Sequence, residues 1–316
     1  MPKDLRLDLT RAIAIIMVAI VHSMGLINSA TETKSILLTK GFYSITQTGV
    51  PLFVMLSGAL LLGKSESLFS FFKKRLNRVL IPFIVWSVIV SLIHFFQNGG
   101  QDILSWPFTF VNDLFGEGVH RIYWYIYMIL GLYLLTPILR NFVKDQKLLI
   151  YSIILIFSLY YLQYIFPKFS LVNRFYCENI LFIGYFLAGY FLYSTPITLV
   201  QKIFKYSFFP LYFLTILLSV FQVKFPLIPL TSMSLFTLLL SFKSLKSVST
   251  PISALAKYSY GIYLSHFILI SVILKFSFIY KIPLFFEPIV MVTCVIIIDI
   301  ALLWFIQKIK LSRFFM

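Results

Sequence analysis

Arg11 and His22 stand eleven residues apart within one apolar stretch, "LTRAIAIIMVAIVHSM", residues 9 to 24. A helix turns about 100° per residue, so eleven steps return to nearly the same face, with the two side chains about 16 Å apart along the axis. Ionisable groups inside such a stretch are costly and mark functional positions by default. A neutral histidine can take a proton from a hydroxyl and return it to a leaving group, and an arginine can hold an anion. An elongated molecule could lie between them. The plainer readings are an interhelical hydrogen bond for His22 and an orientation anchor for Arg11.

A second concentration of chemistry is "FFKKRLNRVLIPF", with Lys73, Lys74, Arg75 and Arg78. Arg75 and Arg78 lie one turn apart and can both reach a polyanion, although such a cluster also serves as a stop-transfer signal. Gln47 falls at about the depth of His22, and Ser57, Gly58 and Ala59 form a small-residue trio suited to close helix packing. In "YSYGIYLSHF", His266 is expected at the inner third to the middle of the membrane, a depth comparable to Asp299. The two are a candidate structural polar pair. The hydrophilic run from 97 to 121 contains Glu117 and His120 and reads as a folded, interface-hugging loop. The histidines at 22, 94, 120 and 266 have no metal-ligand spacing, so no metal is expected, and no phosphate loop or nucleophile elbow is present.

The elements that must position these residues are membrane helices. Of 316 residues, 60% are hydrophobic and 12% charged, and the mean hydropathy is +0.93, which excludes an ordinary soluble domain. Ten apolar spans can be read: 9–28, 42–62, 79–97, 122–139, 149–166, 178–194, 207–222, 227–242, 258–279 and 284–306. Spans seven and eight are short, and a re-entrant pair is an alternative there. The segment 63–79 is expected to run along the surface as an amphipathic helix. Most of the 27 lysines and arginines fall on the side of the N-terminus, so both termini are expected to be cytoplasmic. The expected fold is an all-α polytopic bundle of about ten transmembrane helices, a single domain over 1–316. The +16 charge fits span ends meeting anionic membrane lipid, and no nucleic acid is expected. Cys177 and Cys294 are poorly placed to bridge.

Five ordered blocks carry a resemblance: "RLDLTRAIAIIMVAIVHS", "VPLFVMLSGALLL", "FFKKRLNRVLIPF", "WYIYMILGLYLLTPILR" and "SYGIYLSHF". Together the chain resembles the acyltransferase-3 family of membrane O-acyltransferases that modify bacterial surface polysaccharides. The resemblance implies an enzyme of the bacterial cytoplasmic membrane that transfers an acyl group, usually acetyl, from coenzyme A to a sugar hydroxyl. It makes His22 the general base and Arg11 a supporting or donor-binding cation, with Arg75 and Arg78 as phosphate ligands. Lys74 stands where the family often has arginine. With a sugar acceptor arriving from the outer side, Gln47, Glu117, His120, Trp124 and Tyr125 are candidates for the acceptor side, the last two as stacking surfaces for a sugar ring, although an interfacial aromatic belt is the plainer reading for that pair. Acetyl-CoA would be a donor substrate, with no permanently bound cofactor. Some relatives carry a soluble hydrolase-like domain after the membrane part, and none is expected here. The alternative from another class is a transporter or exporter using the buried polar residues as a pathway. The absence of evident internal repeats weighs against it.

Overall fold

A computed structural model describes residues 4–30, 43–100, 103–116, 118–166, 178–195, 199–221, 227–242, 249–276, 282 and 286–316. Among them there are helices and turns and no strand. In chain order the helices are α1 (Leu5–Ala30), α2 (Gly49–Leu61), α3 (Leu68–Gln97), α4 (Trp106–Phe115), α5 (Trp124–Phe142), α6 (Gln146–Ile165) and α7 (Glu178–Ser194). They continue as α8 (Leu199–Tyr206), α9 (Phe208–Val220), α10 (Ile228–Leu240), α11 (Ser249–Ile273), α12 (Glu287–Lys308) and α13 (Ser312–Phe315). A 3-10 turn, Arg121–Tyr123, leads into α5.

Among the described residues, six stretches are long and apolar enough to cross a membrane: Leu5–Leu26, Tyr43–Leu61, Leu68–Gln97, Arg121–Phe142, Gln146–Ile165 and Glu287–Lys308. A seventh results if Asn179–Ser194 and Leu199–Tyr206, bent by 112°, form one broken span. The ten spans read from hydropathy therefore reduce to six or seven by this measure, for two physical reasons. Helices α9 and α10 have 13 residues each, about 20 Å of rise against roughly 30 Å of hydrocarbon. Helix α11 has 25 residues but carries Lys257, Tyr258, Ser259, Tyr260, Tyr263, Ser265 and His266, and most of it from Tyr258 to His266 is buried among other helices. A helix surrounded by protein can be polar where a lipid-facing one cannot.

Local sequence sets the helix ends. Ser67 accepts the Ser70 N–H at 3.4 Å to open α3, and Asp145 accepts from Lys147 and Leu148 N–H at 2.8 and 3.2 Å to open α6. Helix α3 ends where Gly99 turns left-handed at φ 74°. Its 30 residues make it about 45 Å long. Residues 68–79 of the segment expected to lie along the surface instead form the first turns of α3, continuous with the apolar helix, with Phe69, Lys73 and Lys74 exposed. The loop after α3 does fold: α4 bears no buried residue, exposes Phe108 and Phe115, and is pinned by Trp106 Nε1–H donating to Ser91 Oγ at 3.0 Å.

The core is held by close helix crossings. Helices α2 and α7 cross so tightly that a Cβ on Gly58 would lie 1.8 Å from the Phe186 carbonyl oxygen, and one on Gly189 2.0 Å from that of Met55. The small-residue trio works as read, with Gly58 as the contact. Helix α1 packs against α2, α10, α11 and α12, placing its chemistry at the centre of the bundle. Helix α13 tucks under α3, where the Phe315 carbonyl accepts from Trp86 Nε1 at 3.3 Å. Cys294 is a free thiol, and Cys177 lies outside the described residues.

Candidate active site

Helix α1 is unbroken from Leu5 to Ala30, so Arg11 and His22 share a stripe as the spacing predicts. His22 is half-buried, and its ring lies 5.2 Å from that of His266, centroid to centroid, at an interplanar angle of 43°. His266 is therefore at the depth of His22 and not further toward the inner side. The level read from the apolar run at 258 is corrected because α11 begins nine residues earlier, at Ser249, which puts both histidines 17 residues into their helices (22 − 5 and 266 − 249), whereas the expected match in level with Asp299 holds through the neighbouring Ser265.

The His266–Asp299 pairing is also corrected. Asp299 Oδ1 lies 2.5 Å from Ser265 Oγ, whereas His266 Nδ1 lies 2.8 Å from the Tyr263 carbonyl and 3.0 Å from that of Ile262. Residues 265 and 266 point about 100° apart on a helix, so the serine, not the histidine, faces α12. Ser265 has one hydroxyl proton and two acceptors in reach, Asp299 and the Gly261 carbonyl at 2.8 Å. The proton count closes when Ser265 donates to Gly261 and the acid form of Asp299 supplies the other hydrogen.

Around the two histidines the remaining pair gathers. His120 caps the 3-10 turn, accepting the Ile122 N–H on Nδ1 at 3.3 Å, and its ring packs 4.0 Å from Phe267 and 5.7 Å from His94. Burial, reinforced by His94 and His22, pushes the His120 imidazole down to about 4, so it is neutral at physiological pH. Two buried tyrosines lock this turn to α11 reciprocally. Tyr263 donates to the Ile122 carbonyl, and Tyr123 donates to the Leu264 carbonyl at 3.0 Å.

From the histidines a polar seam runs toward Arg11. The Tyr263 ring lies 5.9 Å from His266 and 5.4 Å from Tyr125, and Tyr125 interacts electrostatically with Arg11 and Tyr133. Arg11 Nη1 donates to Asp8 Oδ1 at 3.2 Å, with Arg78 and Tyr133 as further neighbours. Tyr133 in turn faces Arg75 and Arg78.

The basic end is built around Glu66. Its carboxylate takes Lys74 at 3.4 Å, Arg75 at 3.3 Å and Arg140 at 3.2 Å. Partial burial works to raise the Glu66 carboxyl, but the Arg140 hydrogen bond, with Arg75 and Lys74 beside it, outweighs burial and holds it below its usual range. Arg140 also donates from Nε and Nη2 to the Leu61 carbonyl at 3.2 and 3.1 Å, capping α2. The guanidinium groups of Arg75 and Arg140 lie 5.4 and 4.7 Å from the Phe71 ring. Arg75 Nε is buried with no acceptor among the described residues. Beside this junction opens a cleft of about 380 Å³, lined among others by Lys64, Glu66, Arg140, Asn141 and Lys144.

The acceptor-side candidates do not come together as one group. His120 joins the histidines. Tyr125 is buried within the seam, because it sits in the first turn of α5 rather than in the loop. Trp124 points elsewhere, onto Phe182 of α7 at 5.5 Å. Gln47 is half-buried in the turn before α2, and Glu117 lies outside the described residues. Sequence reasoning missed Arg140, Glu66 and Tyr263. Tyr260, Tyr263 and His266 at three-residue spacing were the available sign of a polar stripe on α11.

The described residues, helical throughout and with several spans long and apolar enough to cross a membrane, define a multi-pass membrane protein. The family model described as an acyltransferase domain matches residues 4–308, so the chain belongs to the acyltransferase-3 family and is a membrane acyltransferase. No match was found among curated proteins or solved structures.

Proposed function

We propose that this enzyme transfers an acetyl group from acetyl-CoA to a sugar hydroxyl of a cell-surface polysaccharide or its lipid-linked precursor. In this reading it is one domain over 1–316 in the bacterial cytoplasmic membrane, with about ten membrane segments and both termini cytoplasmic. The observation that carries the reading is the polar seam of Tyr125, Tyr263 and His266 between Arg11 and His22. An anionic headgroup rests at the basic end on Arg75, Arg78 and Lys74, with Arg11 inside. Its extended arm follows the seam, so that the thioester arrives at His22. The buried, unengaged Nε–H of Arg75 supports an anion partner there.

At the other end the acceptor hydroxyl meets His22. The imidazole takes the hydroxyl proton as the sugar oxygen attacks the thioester carbonyl, forming a C–O bond. The tetrahedral intermediate collapses, the C–S bond breaks, and the proton passes from His22 to the departing thiolate, leaving an ester and a free thiol. The Tyr123 and Tyr263 hydroxyls are committed to backbone carbonyls and serve as locks.

The test is acetyl-CoA binding to protein in lipid, measured by calorimetry for wild type, Arg75→Ala and Arg78→Ala. Saturable binding weakened at least tenfold by either substitution, and weakened by added salt, is the expected result. Binding unaffected by both, or absent at millimolar donor, would overturn the donor site.

A further inference from the structure

His266 is buried completely, yet only one of its two ring nitrogens is engaged. Nδ1 faces two carbonyl oxygens, at 2.8 and 3.0 Å, which can only accept. Nδ1 therefore carries the hydrogen, and on the neutral ring Nε2 is a bare acceptor. Nε2 has no partner among the described residues. A buried acceptor left alone costs free energy, so a donor is to be sought among its neighbours.

Those neighbours are few, and most are committed. The Tyr263 hydroxyl donates to Ile122, and the Tyr123 hydroxyl to Leu264. Asp299 meets α11 through Ser265, which projects about 100° away from His266, and the His120 ring, whose Nε2 carries its hydrogen, lies against Phe267 and His94 and makes no ring contact with His266 among the described residues. His22 is the ring that faces His266 from α1, and at 5.2 Å between centroids an N–H···N bond of about 3 Å is within reach after a ring rotation.

We propose that His266 is a positioning residue that accepts the ring N–H of His22, fixes its tautomer and leaves the other His22 nitrogen bare for the substrate hydroxyl. The backbone carbonyls of Ile262 and Tyr263 orient His266, His266 orients His22, and the imidazolium formed during transfer shares its proton with His266. The logic is that of an Asp–His pair, with a carbonyl-anchored histidine in the place of the carboxylate. The catalytic consequence rests on the reading of His22 as the base, whereas the tautomer claim does not.

With four histidines in the chain, ¹⁵N-histidine solid-state NMR in lipid bilayers can read each ring. In wild type without substrate, His266 is expected as the Nδ1–H tautomer and His22 as a single tautomer with an N–H···N signature. His266→Asn keeps a donor for the carbonyls, but its amide oxygen stops short of the Nε2 position, and it is expected to give mixed His22 tautomers and a kcat lowered ~100-fold with donor KM changed little. His266→Gln, which returns an acceptor oxygen near the Nε2 position, is expected to restore a single tautomer and part of kcat. An Nε2–H tautomer for His266 in wild type, or an unchanged His22 spectrum in His266→Asn, would overturn the proposal. The spectral changes without any acyl transfer by wild type would uphold the pairing and remove the acyltransfer reading alone.

Discussion

Substituting Gly58 by alanine places a methyl carbon 1.8 Å from the Phe186 carbonyl oxygen. Ordinary contact begins near 3.4 Å, so the two helices must separate by about 3.4 − 1.8 = 1.6 Å along that contact. The obstructing atom is backbone, which no rotamer change can move aside. Overpacking commonly costs about 1–3 kcal/mol, and a clash between two helix backbones belongs at the upper end, about 3 kcal/mol or two powers of ten in the unfolding constant. Helix α2 also carries Phe53, whose ring lies 6.2 Å from Tyr125 in the seam, so activity is expected to fall with stability. Thermal unfolding in detergent, followed by tryptophan fluorescence, measures the effect. Gly131→Ala is the internal control. It meets nothing within 4 Å and gains about 1 kcal/mol of helix propensity, so its midpoint is expected at or above wild type. A Gly58→Ala protein as stable as wild type would refute the close crossing of α2 and α7.

Three further outcomes are expected. The lowered Glu66 pKa means its ion pairs contribute stability above the unfolded value near 4.5, lost as pH falls through the folded value; Glu66→Gln is expected to lose this acid-dependent step. His120 has the opposite chemistry: held neutral, with a folded value of about 4 against 6.5 unfolded, it contributes stability above pH 6.5 that is lost as pH falls toward 4. His120→Gln is expected to flatten the melting-temperature slope across that window, and an unchanged slope would contradict the burial of this ring. At the Ser265–Asp299 contact, Asp299→Asn keeps a hydrogen to donate and is expected to melt near wild type, whereas Asp299→Ala costs about 2 kcal/mol; equal damage from both would refute the proton count.

How much of this was legible depended on whether the cause was periodic or long-range. The Arg11–His22 stripe follows from helix geometry alone, and α1 realises it. The Gly58 contact was readable as a small-residue site, but its partner, the Phe186 backbone, lies 128 residues away (186 − 58), beyond any local pattern. Helix α11 was mis-bounded because hydropathy registers apolar runs, and the helix begins at Ser249 in a more polar, largely uncovered stretch that precedes the apolar run. The same error set His266 at the wrong depth and suggested Asp299 as its partner. Arg140 reads as a span-end charge, and only the folded chain brings it to Leu61 and Glu66.

The central claim is that His22 moves the proton in acyl transfer. The most direct measurement is free-thiol release from acetyl-CoA by purified protein in lipid across a panel of sugar acceptors, comparing wild type with His22→Ala at matched thermal stability. Acceptor-dependent release that His22→Ala abolishes, with donor binding retained, is the predicted result. Equal release by the two proteins would contradict the account.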